Sequence, residues 1–62
     1  MISSGRYLYH LQDIEELEAM PQPLNFFNQS RLDALKREAA EFKAANPVEA
    51  QRMEARAKEL AK

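Results

Sequence analysis

Two runs in the second half of the chain repeat apolar residues at intervals of three, four and three positions. The first run consists of Leu32, Leu35, Ala39 and Phe42, and the second consists of Ala50, Met53, Ala57 and Leu60. These intervals place apolar side chains on one face of an α-helix while charged residues fall elsewhere. The sequence therefore predicts helices over residues 30–45 and 46–61.

Helix-start signals support these bounds. Ser30 is followed three residues later by Asp33, which matches a capping box. Asn46 is a preferred N-cap residue, Pro47 suits the first helical position, and Glu49 stands where a second capping box has its acidic residue. In an uninterrupted helix Pro47 would cost about 3 kcal/mol. We therefore predict a break at Asn46–Pro47.

The break leaves two arrangements open. Antiparallel helices need only about two to five connecting residues, so the two helices can form a hairpin or a sharply bent pair. However, a spacing of seven residues runs from Leu32 to Leu60 without a shift at the proline. A single kinked helix of about 30 residues, about 45 Å long, would show the same spacing. The reversal or sharp bend is the favoured prediction.

A shorter helix is predicted earlier in the chain. Asp13 resembles an N-cap with Glu16 three residues later, and Pro21 disfavours helical geometry at the residue before it. These signals predict a helix over residues 13–20. Residues 1–12 are expected to be mobile or extended, because MISSG is polar and RYLYHL alternates large residues, although RYLYHL could also be helical.

Residues 21–29 are predicted to form a connector that contains two prolines and a dense apolar cluster of Leu24, Phe26 and Phe27. Pro23 could be the first residue of the next helix, but Ser30 carries the stronger start signal. Adjacent residues in regular structure cannot point the same way, so one phenylalanine is expected to face inward and the other to be available to a neighbour. The alternative is that both are satisfied within one chain.

Composition restricts what this architecture can be. The chain has 62 residues, no cysteine and one histidine, so we expect one small all-α domain with a thin core and neither a disulfide nor a metal site. Such small scaffolds are often completed by another chain. Residues 1–30 carry net charge −3 (one base, four acids) and residues 31–62 carry +2 (eight bases, six acids), which sum to −1; this modest asymmetry favours head-to-tail contact or an oriented partner.

Catalytic chemistry is not indicated. His10 has no identifiable nucleophile or orienting acid and is expected to be an ordinary surface histidine. The acids of residues 13–18 fit a solvated helix face better than a calcium loop, and Gly5 alone cannot make a phosphate-binding loop. We therefore expect a protein that is not an enzyme and has no catalytic residue, cofactor or small-molecule substrate.

Apolar surface is the feature that suggests a function. The residues expected to form a helix seam or a partner-binding surface are Leu24, Phe26, Phe27, Leu32, Leu35, Ala39, Phe42, Met53, Ala57 and Leu60. Narrow apolar stripes and aromatic anchors are typical of helix pairing and of protein interfaces. The leading hypothesis is a subunit or adaptor that binds protein, either its own copies or a larger assembly.

The alternative hypothesis is a small regulator that contacts nucleic acid through its basic C-terminal half, although acids interrupt the bases there and no aromatic residue stands among them. Membrane binding is not indicated, because the stripes are rich in alanine and no long apolar run or export signal is present. We expect a cytoplasmic protein or a component of a larger particle.

Overall fold

The computed structural model describes residues 1–61 and contains three α-helices. Helix α1 spans Ser4–Ala19, α2 spans Phe26–Ala45 and α3 spans Pro47–Leu60. No strand occurs among these 61 residues. The predicted all-α class, with one helix before the proline-containing connector and two after it, is confirmed.

Helix α1 begins earlier than the sequence predicts. Ser3 is its N-cap, and the Ser3 hydroxyl oxygen accepts a hydrogen bond from the Arg6 backbone N–H at 3.2 Å. Asp13 therefore lies within the helix, and the predicted extended or mobile state of residues 1–12 is wrong from Ser4 onward. The alternation in RYLYHL was misleading because Tyr7 and His10, three residues apart, also share one face of a helix, and both are buried.

Helix α2 also begins earlier than predicted. Asn25 is the N-cap, and its side-chain oxygen accepts a hydrogen bond from the Asn28 backbone N–H at 2.8 Å. The capping box predicted at Ser30 is wrong, since Ser30 lies inside the helix. Asn and Ser are about equally good caps, so the first competent cap after the prolines starts the helix and shortens the connector to residues 20–25.

The predicted break between α2 and α3 is confirmed at Asn46. Its backbone N–H donates to the Phe42 carbonyl at 2.7 Å, which closes α2, and Pro47 is the first residue of α3. The capping chemistry differs from the prediction, because the Asn46 side chain makes no cap bond to α3 and its amide donates to Phe42 O at 3.4 Å. The Cα extents of 33 × 27 × 13 Å exclude the extended rod.

Helix α1 packs against both of the other helices, whereas α2 and α3 share a smaller contact. Contacts of Ser4 with Glu49 and of Tyr7 with Glu54 show that α3 runs parallel to α1. Tyr7 stacks on Phe42 and His10 contacts Glu38, so the partner position in α2 falls as the position in α1 rises and the two helices are antiparallel. The principal core cluster consists of Tyr7, Ala39, Phe42 and Ala50, with Ile2, Leu11, Ile14 and Met53 packed against it.

This arrangement leaves much surface uncovered. The accessible surface is 4671 Å², whereas a compact monomer of 7.2 kDa exposes about 4,100 Å². Within residues 1–61, no helix has both the length and the apolar character needed to cross a membrane.

Candidate protein-interaction surface

The most exposed large apolar side chains near the connector are the first two residues of α2. Phe26 is 83% exposed and Phe27 is 85% exposed. The expectation that one of them would face inward is wrong, and so is the alternative that both are satisfied within one chain. The first residue of α2 that is buried is Leu32, so the turn that carries both rings precedes the packed part of the helix.

Helix lengths explain why this turn is uncovered. His10 of α1 lies opposite Glu38 of α2, and antiparallel helices advance by the same rise per residue. Counting along both helices from this pair puts Ala19, the last residue of α1, opposite Gln29. The first residues of α2 thus extend beyond the end of α1, and α1 has no helical residue that could cover them.

The neighbouring connector is also apolar and exposed. Met20 is 40% exposed and its sulfur lies 3.9 Å from the Asn28 side-chain nitrogen, while Pro21 and Pro23 are exposed. We call Met20, Pro21, Pro23, Phe26 and Phe27 the apex. The two rings alone present roughly 300 Å² of apolar surface, and a patch of that size on a monomer is often functional.

The residues predicted to form a seam or a binding surface fall into three groups. Leu32, Ala39 and Phe42 are buried; Leu24, Leu35, Met53 and Ala57 are partly buried; Phe26, Phe27 and Leu60 are exposed. The structure thus brings only part of the predicted set together in the core. The exposed group includes the two phenylalanines of the apex.

Tyr7 is a central residue that the sequence analysis placed in an extended segment. It is 2% exposed, and its ring stacks on Phe42 with the centroids 4.6 Å apart and the planes at 24°. Its hydroxyl donates to Glu54 Oε2 at 3.4 Å. Burial, followed by the charge of Glu54 and this hydrogen bond, raises the pKa of Tyr7 above 10.0. Helical spacing from Tyr7 to Leu11 and Ile14 is the signal that could have found it.

His10 is not the surface histidine that was expected. It is 8% exposed, and its Nε2 lies 2.6 Å from Glu38 Oε2, so the pair links α1 to α2. The hydrogen bond with His10 is the main cause that lowers the pKa of Glu38 from its ordinary 4.5. This geometry satisfies a buried polar side chain and serves helix packing.

Much of the charge is paired within the chain. The ion pairs between side chains are Asp13 with Arg31 at 3.5 Å, Glu18 with Lys36 at 3.0 Å, Glu54 with Lys43 at 3.5 Å, and Glu49 with Arg52 at 2.8 Å. The first two pairs join the acidic α1 to the basic start of α2. Four of the eight bases in residues 31–62 therefore already contact carboxylates, which reduces the positive surface available to a phosphate backbone.

A shallow groove runs between the second half of α1 and the end of α3. It consists of two adjoining depressions of about 440 and 490 Å³ that share Glu15, Ala57 and Ala61. Leu11 and Ala19 add apolar lining. Carboxylates stand along the walls, from Asp13, Glu15, Glu16 and Glu54. We refer to this feature as the α1–α3 groove; like the apex, it borders the C-terminal end of α1.

Comparison with known proteins gives no relative from which a role could be transferred: the chain matches no protein-family model, and it has no significant match among curated proteins or solved structures.

Proposed function

We propose that this protein is a non-enzymatic interaction subunit that inserts its apex into an apolar cleft of another protein chain within an assembly. The observation that carries the proposal is the exposure of Phe26 and Phe27 side by side at 83% and 85%. Single exposed apolar residues are normal on protein surfaces. Two adjacent exposed phenylalanines, together with the exposed Met20 and prolines of the neighbouring connector, give this end of the molecule more apolar surface than a single residue would. Large exposed apolar areas often mark binding sites.

Aromatic anchors suit this role energetically. Burying roughly 300 Å² of ring surface at about 25 cal/mol/Å² contributes about 7 kcal/mol, and the cleft that receives the rings contributes a similar amount. Association costs about 4–15 kcal/mol in lost freedom. The apex is therefore the anchor of an interface, and its partner must supply surrounding contacts to hold the complex together.

The rings contribute little to folding, which also favours a binding role. Phe42 and Tyr7 stack within the core, whereas Phe26 and Phe27 lie on the part of α2 that extends beyond α1. In the proposed assembly, the protein acts in the cytoplasm or as a component of a larger particle. His10, Asp13 and Glu18 have structural roles in pairing α1 with α2.

Site-specific photo-crosslinking in cells tests this function. A benzoylphenylalanine placed at Phe27 should give discrete protein adducts after irradiation. The same group at Val48 is the matched control, because Val48 is 70% exposed. Val48 lies in the first turn of α3, next to the C-terminal end of α2 and about 30 Å from Phe27. Val48 should give few adducts or none.

Two results would contradict the proposal. Equal and diffuse crosslinking at both positions would show that the apex has no specific protein partner. Adducts to nucleic acid at position 48, which lies in the basic C-terminal half, would instead favour the small regulator considered from the sequence.

A further inference from the structure

We infer that the chain that receives the apex is a second copy of this protein, and that the apex of each copy enters the α1–α3 groove of the other. This inference rests on the proposed function, because it uses the same apex. It adds the identity of the partner and the surface that receives the rings.

The first support is the position of the two surfaces. Helix α3 runs parallel to α1, so the end of α3 lies beside the end of α1, where Ala19, Ala57 and Ala61 line the groove. The connector leaves the same end of α1 at Met20 and leads directly to the apex. Because projection and groove lie at one end of the molecule, a two-fold axis lets both contacts form at once. The result is a closed dimer with no open end for further addition.

The groove has room for aromatic side chains. Its two depressions, of about 440 and 490 Å³, are shallow and open to solvent, so they would cover one face of a ring and leave the other face exposed. Alanines at positions 57 and 61 leave space that larger residues would fill, and Leu11 offers an apolar wall.

Charge is complementary between the two surfaces. Arg31 follows Phe27 by four residues, so both side chains lie on one face of α2. The wall of the groove carries four carboxylates, two of which belong to the exposed Glu15 and Glu16, and one base, Lys58, so the groove is acidic on balance. Within its own chain Arg31 contacts Asp13 at 3.5 Å in a pair with side-chain exposures of 60% and 37%; such an exposed pair is worth only about 0–1 kcal/mol. Arg31 can therefore exchange this partner for the acids of the second copy.

The buried area agrees with a small dimer interface. Four phenylalanine rings contribute roughly 600 Å², and the shallow groove walls that cover them contribute a smaller area. The total lies below about 1,200 Å², in the range of weak and transient protein complexes. The dimer should therefore dissociate on dilution.

Sedimentation velocity over a range of concentrations tests the dimer with the wild type, two variants and a matched control for each variant. The wild type should change from monomer to dimer as its concentration rises, and Phe26→Ser/Phe27→Ser should remain a monomer. Ala61→Glu, which places a carboxylate in the groove, should also remain a monomer. The matched controls are Val48→Ser for the loss of an exposed apolar residue and Ala55→Glu, an exposed position of α3 outside the groove; both should dimerise like the wild type. Circular dichroism should show that every variant is folded.

Mixing the two monomeric variants provides the sharper test. The phenylalanine variant keeps an intact groove and Ala61→Glu keeps an intact apex, so an equimolar mixture should form a dimer with one of the two contacts. This mixed dimer should be weaker than the wild type. Absence of any dimer in the mixture would overturn the reciprocal arrangement.

The remaining outcomes separate this inference from the proposed function. A wild type that stays monomeric at all concentrations would overturn the dimer, yet crosslinking of position 27 to a different protein would leave the proposed function standing. A dimer lost in the phenylalanine variant but retained in Ala61→Glu would overturn the groove as the receiving surface. A dimer that survives both variants, together with no specific crosslinking at position 27, would overturn both proposals.

Discussion

Replacing Phe42 with alanine should unfold a large fraction of the protein. Phe42 is 3% exposed and belongs to the core cluster, where its ring stacks on Tyr7 with a centroid separation of 4.6 Å. Tyr7 comes from α1, Phe42 from α2 and Ala50 from α3. Truncation at this position therefore removes packing at the point where all three helices meet.

The magnitude follows from burial and stacking. Deleting a buried phenylalanine side chain typically costs about 3–5 kcal/mol, and loss of an aromatic pair accounts for about 0.5–1.5 kcal/mol of that. A domain of this length has a free energy of unfolding of roughly 3–9 kcal/mol, at about 0.05–0.15 kcal/mol per residue. The variant should thus lose between about a third and all of its free energy of unfolding.

Urea denaturation followed by circular dichroism at 222 nm measures this loss. Phe27→Ala is the matched control, because it removes the same side chain from a position that is 85% exposed. In dilute monomer its free energy of unfolding should stay within about 0.5 kcal/mol of the wild type. Equal destabilisation by the two variants, or a Phe42→Ala chain as stable as the wild type, would refute the assignment of Phe42 to the core and of Phe27 to the surface.

Two further predictions concern the helix start and pH. Asn25→Ala should lower the free energy of unfolding by about 1 kcal/mol because it removes the N-cap of α2. Ser30→Ala should have little effect. If urea denaturation showed a larger loss for Ser30→Ala than for Asn25→Ala, Ser30 would be the helix start after all. Because the pKa of Glu38 is lowered in the folded chain, its stabilising contribution is present above its ordinary pKa of 4.5 and is lost as pH falls through the folded value. Stability measured from pH 6 to pH 3 should therefore fall less steeply in Glu38→Gln than in the wild type, and an identical pH dependence would contradict this role of the His10 contact.

The break at Asn46 could be predicted from sequence, whereas the starts of the first two helices could not. Pro47 excludes a continuous helix for a covalent reason, since it lacks an N–H and its ring clashes with the preceding turn. The choice between Asn25 and Ser30 involves two caps of nearly equal strength. The local sequence therefore does not decide which of the two residues starts α2. Residues 26–29 are helical, yet they lie outside the repeating apolar spacing that predicts the rest of the helix.

The candidate site was predictable only in part. Phe26 and Phe27 were identified as anchors from their position beside the prolines, but the exposure of both depends on where α1 ends relative to α2. That relation is set by the register of two helices, which the contact between His10 and Glu38 reports. The α1–α3 groove depends on tertiary packing in the same way, because Ala19 and Ala57 come from distant parts of the chain.

The two ends of the molecule differ in how they are held, and this difference connects the fold to the proposed assembly. Tyr7, Phe42 and Ala50 lie toward the turn between α2 and α3 and are almost fully buried. At the connector end, α1 and α2 are joined in part by exposed ion pairs, such as Lys36 with Glu18, whose side chains are both 51% exposed. Such pairs contribute little in water. A partner that binds only the folded chain stabilises it by an amount that rises with the logarithm of the partner's concentration. Burying the apex would therefore strengthen the end that the chain's own core supports least.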